Sequence, residues 1–433
     1  MFASRLVRPA PRQDRCGAGG TMTATRQDTR APGGLPDKLR QNRGFVLLAS
    51  CRGLMVVARQ TLAVAVGWDV YERTSNVVDL GLIGLCMALP IFLFTIPAGI
   101  VADRYDRRIV LAAGLVTQSI TAALIGCWFQ FGGPSVTPIF ALLLVSGSAH
   151  SFLNPALSST LPRLVPRELF SNAIAASSSV NKVAQLAGPV AAGFLLGADW
   201  PIAYTVTATG FFLAALCALL IRLNLRIEDP DEIGWSALFG GFKFVWETPV
   251  VFAAMTIDLI AVLFGGVIGI LPVYAADILH VGSEGLGMMR AAPAIGAFTI
   301  GAILASHRLP WPVGKSFFAS LTVFSLAILI FSVSRSFPLS LAALAAYGAA
   351  DMVSIYVRQT LIQLDTPDDL RGRVGAVHSF SAGGSTQLGD LRAGLMAGVV
   401  GTPAAVAIGG LVTLAATGLW FQLFPTLRKM SRF

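Results

Sequence analysis

Charge is scarce in this chain: Asp, Glu, Lys and Arg supply 13% of its 433 residues against 55% apolar ones, and the mean hydropathy is +0.70. A water-soluble globule of this length needs far more polar surface, so the composition excludes one and indicates an integral membrane protein. Cysteine is scarce too. Cys16, Cys51, Cys86, Cys127 and Cys217 are odd in number and lie mostly inside apolar runs, which supplies neither a disulfide framework nor a zinc site. A basic helix with interleaved aromatics is missing, so the formal charge of +9 implies no nucleic-acid partner. A phosphate-binding loop is missing as well: Gly314-Lys315-Ser316 looks like the end of one, but Leu309 stands where its first glycine belongs. No metal, cofactor or enzymatic activity is expected.

Residues 1–43 are rich in Arg, Pro, Gly and Thr and lack the apolar core of a signal peptide, which predicts a disordered, basic cytoplasmic tail with Met22 as a candidate start. Thereafter apolar runs of about twenty residues recur, each long enough to cross ~30 Å of hydrocarbon as a helix. They predict twelve spans: 44–67, 80–101, 109–131, 137–158, 173–197, 201–223, 249–275, 285–305, 315–334, 338–358, 373–397 and 403–424. The fold expected is an all-α membrane protein of twelve transmembrane helices in two pseudo-symmetric six-helix halves, residues 44–223 and 249–424. Between them, 224–248 is a cytoplasmic linker, acidic at Glu228, Asp229, Asp231 and Glu232 and then amphipathic enough to lie on the membrane surface. A short tail, 425–433, follows. Almost all loop Lys and Arg fall on the side that carries both ends, which places the termini in the cytoplasm and leaves Arg73 and Arg335 outside.

The halves repeat. A slide of 201 residues aligns Pro166, Leu169, Ala175, Gly188, Ala192, Gly193 and Gly197 with Pro367, Leu370, Ala376, Gly389, Ala393, Gly394 and Gly398. A slide of 203 pairs Gly84 with Gly287 and Pro90 with Pro293, as two parallel six-helix units require.

Between the second and third spans, residues 99–108 read Gly-Ile-Val-Ala-Asp-Arg-Tyr-Asp-Arg-Arg, with five charged residues in the last six positions. Gly99 is placed to let a neighbouring helix approach, Asp103 to cap a facing helix N-terminus near Gly372, and the arginines to meet cytoplasmic headgroups. This decapeptide resembles the loop between helices 2 and 3 of the major facilitator superfamily, whose pattern is Gly-x-x-x-Asp-Arg-x-Gly-Arg-Arg/Lys. Gly99, Asp103, Arg104, Arg107 and Arg108 match, and Asp106 replaces the usual glycine. Further stretches, Gly67-Trp68-Asp69-Val70-Tyr71, Pro272-Val273-Tyr274-Ala275, Arg290-Ala291-Ala292-Pro293 and residues 366–374 (Thr-Pro-Asp-Asp-Leu-Arg-Gly-Arg-Val), resemble the branch that contains the bacterial enterobactin exporter and macrolide efflux proteins. The resemblance runs over residues 44–424.

Mid-membrane charges are expensive and need a partner or an aqueous cavity. Arg52 and Arg59 share a face of the first span, His150 is in the fourth, Lys182 in the fifth, Asp258 in the seventh, Asp351 in the tenth, and Asp390 and Arg392 in the eleventh. The resemblance implies that helices 1, 4, 7 and 10 line a central cavity, which would gather Arg52, Arg59, His150, Asp258 and Asp351. Asp258 and Asp351 read either as carboxylates that bind and release a proton or as members of a fixed ion-pair network, with Arg52, Arg59 or His150 as partners of Asp258. Arg290 and Asp390, at similar depth, read as an outer gate or a structural bridge. The resemblance implies a monomeric proton-coupled exporter in the bacterial inner membrane, carrying a small amphipathic siderophore- or drug-like molecule by alternating access. The alternatives are an uptake or facilitative carrier of a small solute, and a membrane sensor that moves nothing.

Overall fold

The computed structural model describes residue 39 and residues 41–133, 135–198, 200–221, 235–306, 312–367 and 370–430. Most of the predicted tail, the acidic linker stretch 222–234, and His307 and Arg308 lie outside these. So does the side chain of Asp103.

Among the described residues there is no strand, and every predicted span but the seventh falls on a single helix. The first six are α1 (Arg43–Thr74), α2 (Val77–Arg104), α3 (Arg107–Phe131), α4 (Thr137–Leu164), α5 (Phe170–Ala198) and α6 (Trp200–Leu219). The second six are α7 (Pro249–Gly265), α8 (Gly282–Ser306), α9 (Val313–Val333), α10 (Phe337–Asp365), α11 (Arg371–Val400) and α12 (Thr402–Leu423). A helix at Trp235–Glu247 precedes α7, and a short one at Pro425–Lys429 follows α12. Ten of the candidate spans are long and apolar enough to cross a membrane. The other two helices, α5 and α11, are as long at 29 and 30 residues but are interrupted by polar groups, among them Lys182, Asp390 and Arg392. They are the pair related by the 201-residue slide.

Sequence signals fix the helix ends. Asn42 caps α1, its Oδ1 accepting the Phe45 N–H at 3.1 Å while its amide donates to Leu164 O at 2.8 Å, which ties the start of α1 to the end of α4. Prolines open α4, α7, α10 and α12 where no intrahelical N–H is lost. Gly401, at φ 84°, turns α11 into α12 through a conformation open to glycine.

Each half has its own buried core. One runs through Leu111, Leu115, Ile125, Ile139, Leu153 and Phe211, the other through Ile257, Leu271, Tyr274, Phe317, Phe324 and Phe331. The halves meet chiefly where α2 packs on α11 and α5 on α8. At the end of the bundle opposite the termini these contacts are backbone to backbone: a Cβ on Gly287 would stand 2.7 Å from Pro189 O and 2.9 Å from Gly193 Cα, and one on Gly394 2.6 Å from Gly81 Cα. Lower down, Phe92 of α2 meets Phe380 of α11 edge-on at 5.2 Å.

Toward the termini the halves part. Among the described residues nothing lies within 4 Å of a Cβ placed on Gly99 of α2, or on Gly372, Gly375 or Gly383 of α11. The close approach expected at Gly99 is not seen among the described residues in this conformation. The close backbone packing between the halves lies at the end opposite the termini.

A second correction concerns the seventh span, read as one continuous helix over 249–275. It is broken: α7 stops at Gly265, a 3-10 turn covers Ile268–Ile270, a single α turn Leu271–Val273, and a π turn Tyr274–Ile278.

Candidate functional site

The middle of the N-terminal half is basic. Arg52 Nη1 donates to Ser177 Oγ at 2.8 Å, joining α1 to α5. About two turns along the same face, Arg59 makes no hydrogen bond or ion pair with any described residue, and its Nε is both shut from solvent and unpartnered. His150 of α4 lies within electrostatic reach of Arg59, and its Nδ1 is likewise buried and unpartnered. Lys182 on α5 is exposed. Asp69, in the penultimate turn of α1, accepts the Tyr204 hydroxyl at 2.6 Å, both side chains being buried.

The C-terminal half holds the acids. Asp258 of α7 is ion-paired with Arg358 of α10, and both are buried. This corrects the partners expected for Asp258: Arg52, Arg59 and His150 belong to the other half, whereas the side chain of Asp258 turns into its own half, where α7 packs on α10. His378 of α11 is within electrostatic reach of Arg358. Asp351 of α10 feels Lys182 of α5 from across the interface between the halves, with Tyr347 one turn away.

Asp390 and Arg392 of α11 bracket the break in α7. Arg392 Nη2 donates to Phe264 O at 2.7 Å, at the last turn of α7, and its guanidinium lies over the Phe264 ring at 5.5 Å. Asp390 Oδ1 accepts the Gly269 N–H at 3.0 Å at the start of the next turn, so a cation meets the carbonyl end and an anion the amide end of the gap. Glycine is needed there, since a Cβ on residue 269 would come within 2.7 Å of Asp390 Oδ1. Arg290 lies within electrostatic reach of Asp390 without a direct ion pair, so the two share a buried region and are not the simple pair expected. Nearby, the Tyr71 hydroxyl of α1 donates to Asp277, fastening the last turn of the broken segment to the N-terminal half.

The charged loop is ordered by Asp106. This residue is extended at φ −60° and ψ 115°, which any residue adopts, and it caps α3 by accepting the Arg108 N–H at 3.0 Å. Its carboxylate also meets Arg108 Nη2 at 2.6 Å. Hydrogen bonds from the Arg108 side chain hold the carboxyl below the usual carboxylate range, against the upward push of partial burial. Arg108 Nη1 donates on to Ile221 O at 3.0 Å and Arg107 Nη1 to Ser159 O at 2.6 Å, so the two arginines tie α3 to the ends of α6 and α4. Arg104 is exposed in the last turn of α2.

Sequence reasoning missed Arg358, Tyr204, Asp277 and the role of Gly269. Arg358 is the instructive case. The apolar run ends there, so it reads as a boundary residue, yet the helix continues two turns to Asp365.

Comparison with known proteins gives this geometry a context. The family profile of the Major Facilitator Superfamily matches residues 48–389. The enterobactin exporter EntS of Citrobacter koseri is 26% identical over 409 residues, covering 91% of this chain and 94% of that one. EntS of an Escherichia coli strain is 26% identical over 348 residues, covering 78% and 82%. Among solved structures, a bacterial homologue of the human lysosomal transporter Spinster, inward-facing and unoccupied, superposes with a TM-score of 0.75 at 15% identity, covering 90% of this chain and 99% of that one. The nucleoside transporter NupG superposes with a TM-score of 0.68 at 12% identity, covering 88% and 99%.

Proposed function

The chain belongs to the major facilitator superfamily, and from that premise we propose that it exports a small siderophore-like molecule in exchange for protons, as a monomer in the bacterial inner membrane with both termini cytoplasmic. The relatives that align over most of its length are exporters of a siderophore by name. The basic loops on the terminal side support the orientation, since such loops are retained in the cytoplasm. On that orientation the close glycine contacts lie on the outer side, and transport requires the halves to rock about α2 with α11 and α5 with α8 until those contacts part and the outer end opens.

One observation carries the coupling: Asp351 and Lys182 stand on opposite halves within electrostatic reach. A stroke that moves α5 relative to α10 changes the electrostatic surroundings of that carboxylate, and each pK unit of change is worth ~1.4 kcal/mol, so modest movement ties a proton to the cycle. Asp258 is less suited, because its partner Arg358 travels with it in the same half. It holds α7 to α10 through the stroke.

The test is flux in proteoliposomes carrying an imposed pH gradient. Wild-type protein should concentrate substrate against its gradient, and Asp351→Asn should lose concentrative transport while keeping exchange of labelled for unlabelled substrate. Full concentrative transport by Asp351→Asn moves the proton to another residue. Downhill flux indifferent to pH favours a facilitative carrier, and binding without flux a sensor.

A further inference from the structure

Arg59 and His150 are left over by the mechanism above. Arg59 stands sixteen residues from the start of α1 and fifteen from its end, and His150 thirteen and fourteen residues from the ends of α4, so both are at mid-membrane. A guanidinium at that depth is retained only with a counter-charge or a hydrated cavity. Among the described residues it has no counter-charge: no carboxylate acts on Arg59, and the charge that acts on His150 is Arg59 itself. Arg52, on the same face, is already engaged with Ser177. Both Arg59 and His150 remain partly exposed.

We infer that Arg59 and His150 form an oxyanion-accepting subsite of the cavity, which takes a carboxylate, phenolate or comparable group of the transported molecule. A guanidinium offers a planar fork of N–H donors that matches two oxygens at once, and a neutral imidazole adds one more donor beside it. The missing counter-charge then arrives with the cargo. Asp69 is tied to Tyr204 and Asp258 to Arg358, so neither of these carboxylates competes for the subsite in this conformation. The inference rests on the cavity of the transporter reading and adds to it the chemistry of the ligand.

The experiment uses the purified full chain in nanodiscs and two probes of equal size, 1-naphthoate and 1-naphthamide, with affinities read from the shift of the thermal unfolding midpoint. Wild type should bind naphthoate at least tenfold more tightly than naphthamide. Arg59→Gln should bring the two within twofold, Arg59→Lys should keep part of the preference, and His150→Gln should reduce it two- to threefold. A second measurement does not depend on the variants folding: naphthoate, and not naphthamide, should protect Arg59 from phenylglyoxal, followed by mass spectrometry. Absence of preference or of binding in wild type, or an undiminished preference in folded Arg59→Gln, overturns the inference. Loss of naphthoate affinity on replacing phosphatidylcholine with phosphatidylglycerol assigns the subsite to lipid headgroups and overturns it as well. Anion preference without proton-dependent flux would instead sink the coupling proposal and leave this subsite standing.

Discussion

In the C-terminal half Asp258 meets Arg358 and Asp390 accepts the Gly269 N–H, whereas in the N-terminal half Arg59 Nε and His150 Nδ1 meet no partner among the described residues. Both halves carry charge into the membrane, and both must offset its cost. The C-terminal half does so internally, with pairs that move as one body. The N-terminal half engages Arg52 with Ser177 but leaves Arg59 and His150 for something outside itself, a ligand or the Asp351 side of the partner half. Charges tied within a half hold that half together, and charges left open are the ones through which cargo and proton can act on the stroke.

The strongest way to break this contrast is to remove one member of the buried pair. Asp258→Leu or Arg358→Leu leaves an uncompensated charge in the packed half and should destabilise by ~3–5 kcal/mol, while the double variant Asp258→Leu/Arg358→Leu should recover most of that. Thermal unfolding in nanodiscs reads all three. If the single losses simply add in the double variant, the two residues are not an energetic unit and Asp258 returns as a coupling candidate.

The end opposite the termini gives the next largest effect. In Gly287→Val the new Cβ collides with Pro189 O and the Gly193 backbone, neither of which can swing aside. Overpacking of this kind costs ~1–3 kcal/mol in the sealed state alone, enough to shift the population of the two states by roughly tenfold. A cysteine introduced at Val78, in a background without native cysteines, should then label faster with an impermeant maleimide. Unchanged labelling would show that α5 and α8 tolerate the bulk without opening.

At the end that carries the termini the expectation is reciprocal and smaller. Cysteines introduced at Asp103 and Gly372 should crosslink poorly in wild type, where no described residue stands close to Gly372, and severalfold better in the Gly287→Val background. Equal crosslinking in both would remove Asp103 from any role in holding the inward-closed state.

How much of this was legible depended on whether the signal ran along one chain segment or between two. The twelve helices were, because hydrocarbon thickness imposes a length on every apolar run and the runs are long. The Asp103 to Arg108 motif was legible as a turn between two spans for the same reason, although only Tyr105 and Asp106 lie outside the helices. The partner of Asp258 was not, since a contact between α7 and α10 leaves no trace in the spacing of either. The break in α7 was hidden as well: apolar residues continue through 266–270, and only the pair Gly265-Gly266 hints at it, while the side chains that stabilise the gap come from α11, more than a hundred residues on.

The charged loop sharpens the comparison at its weakest effect, because the stretch related to it by the repeat carries no acid. Asp106 is the residue that departs from the superfamily pattern, and its geometry explains the substitution: it caps α3 from an extended conformation and holds Arg108, which in turn reaches the Ile221 carbonyl just past the end of α6. Losing an N-cap costs about 1 kcal/mol, so Asp106→Ala should destabilise by that order, and Asp106→Asn, which keeps a capping oxygen without the charge, by less. The carboxyl is held below its ordinary range when folded, so its charge contributes stability above the unfolded value of ~3.9 and loses it as pH falls through the lower folded value. The gap in unfolding midpoint between wild type and Asp106→Asn should therefore be constant from pH 8 to pH 5 and close below about pH 4. A gap that persists unchanged to pH 3 would show that Asp106 acts through its cap alone and that its pairing with Arg108 adds nothing.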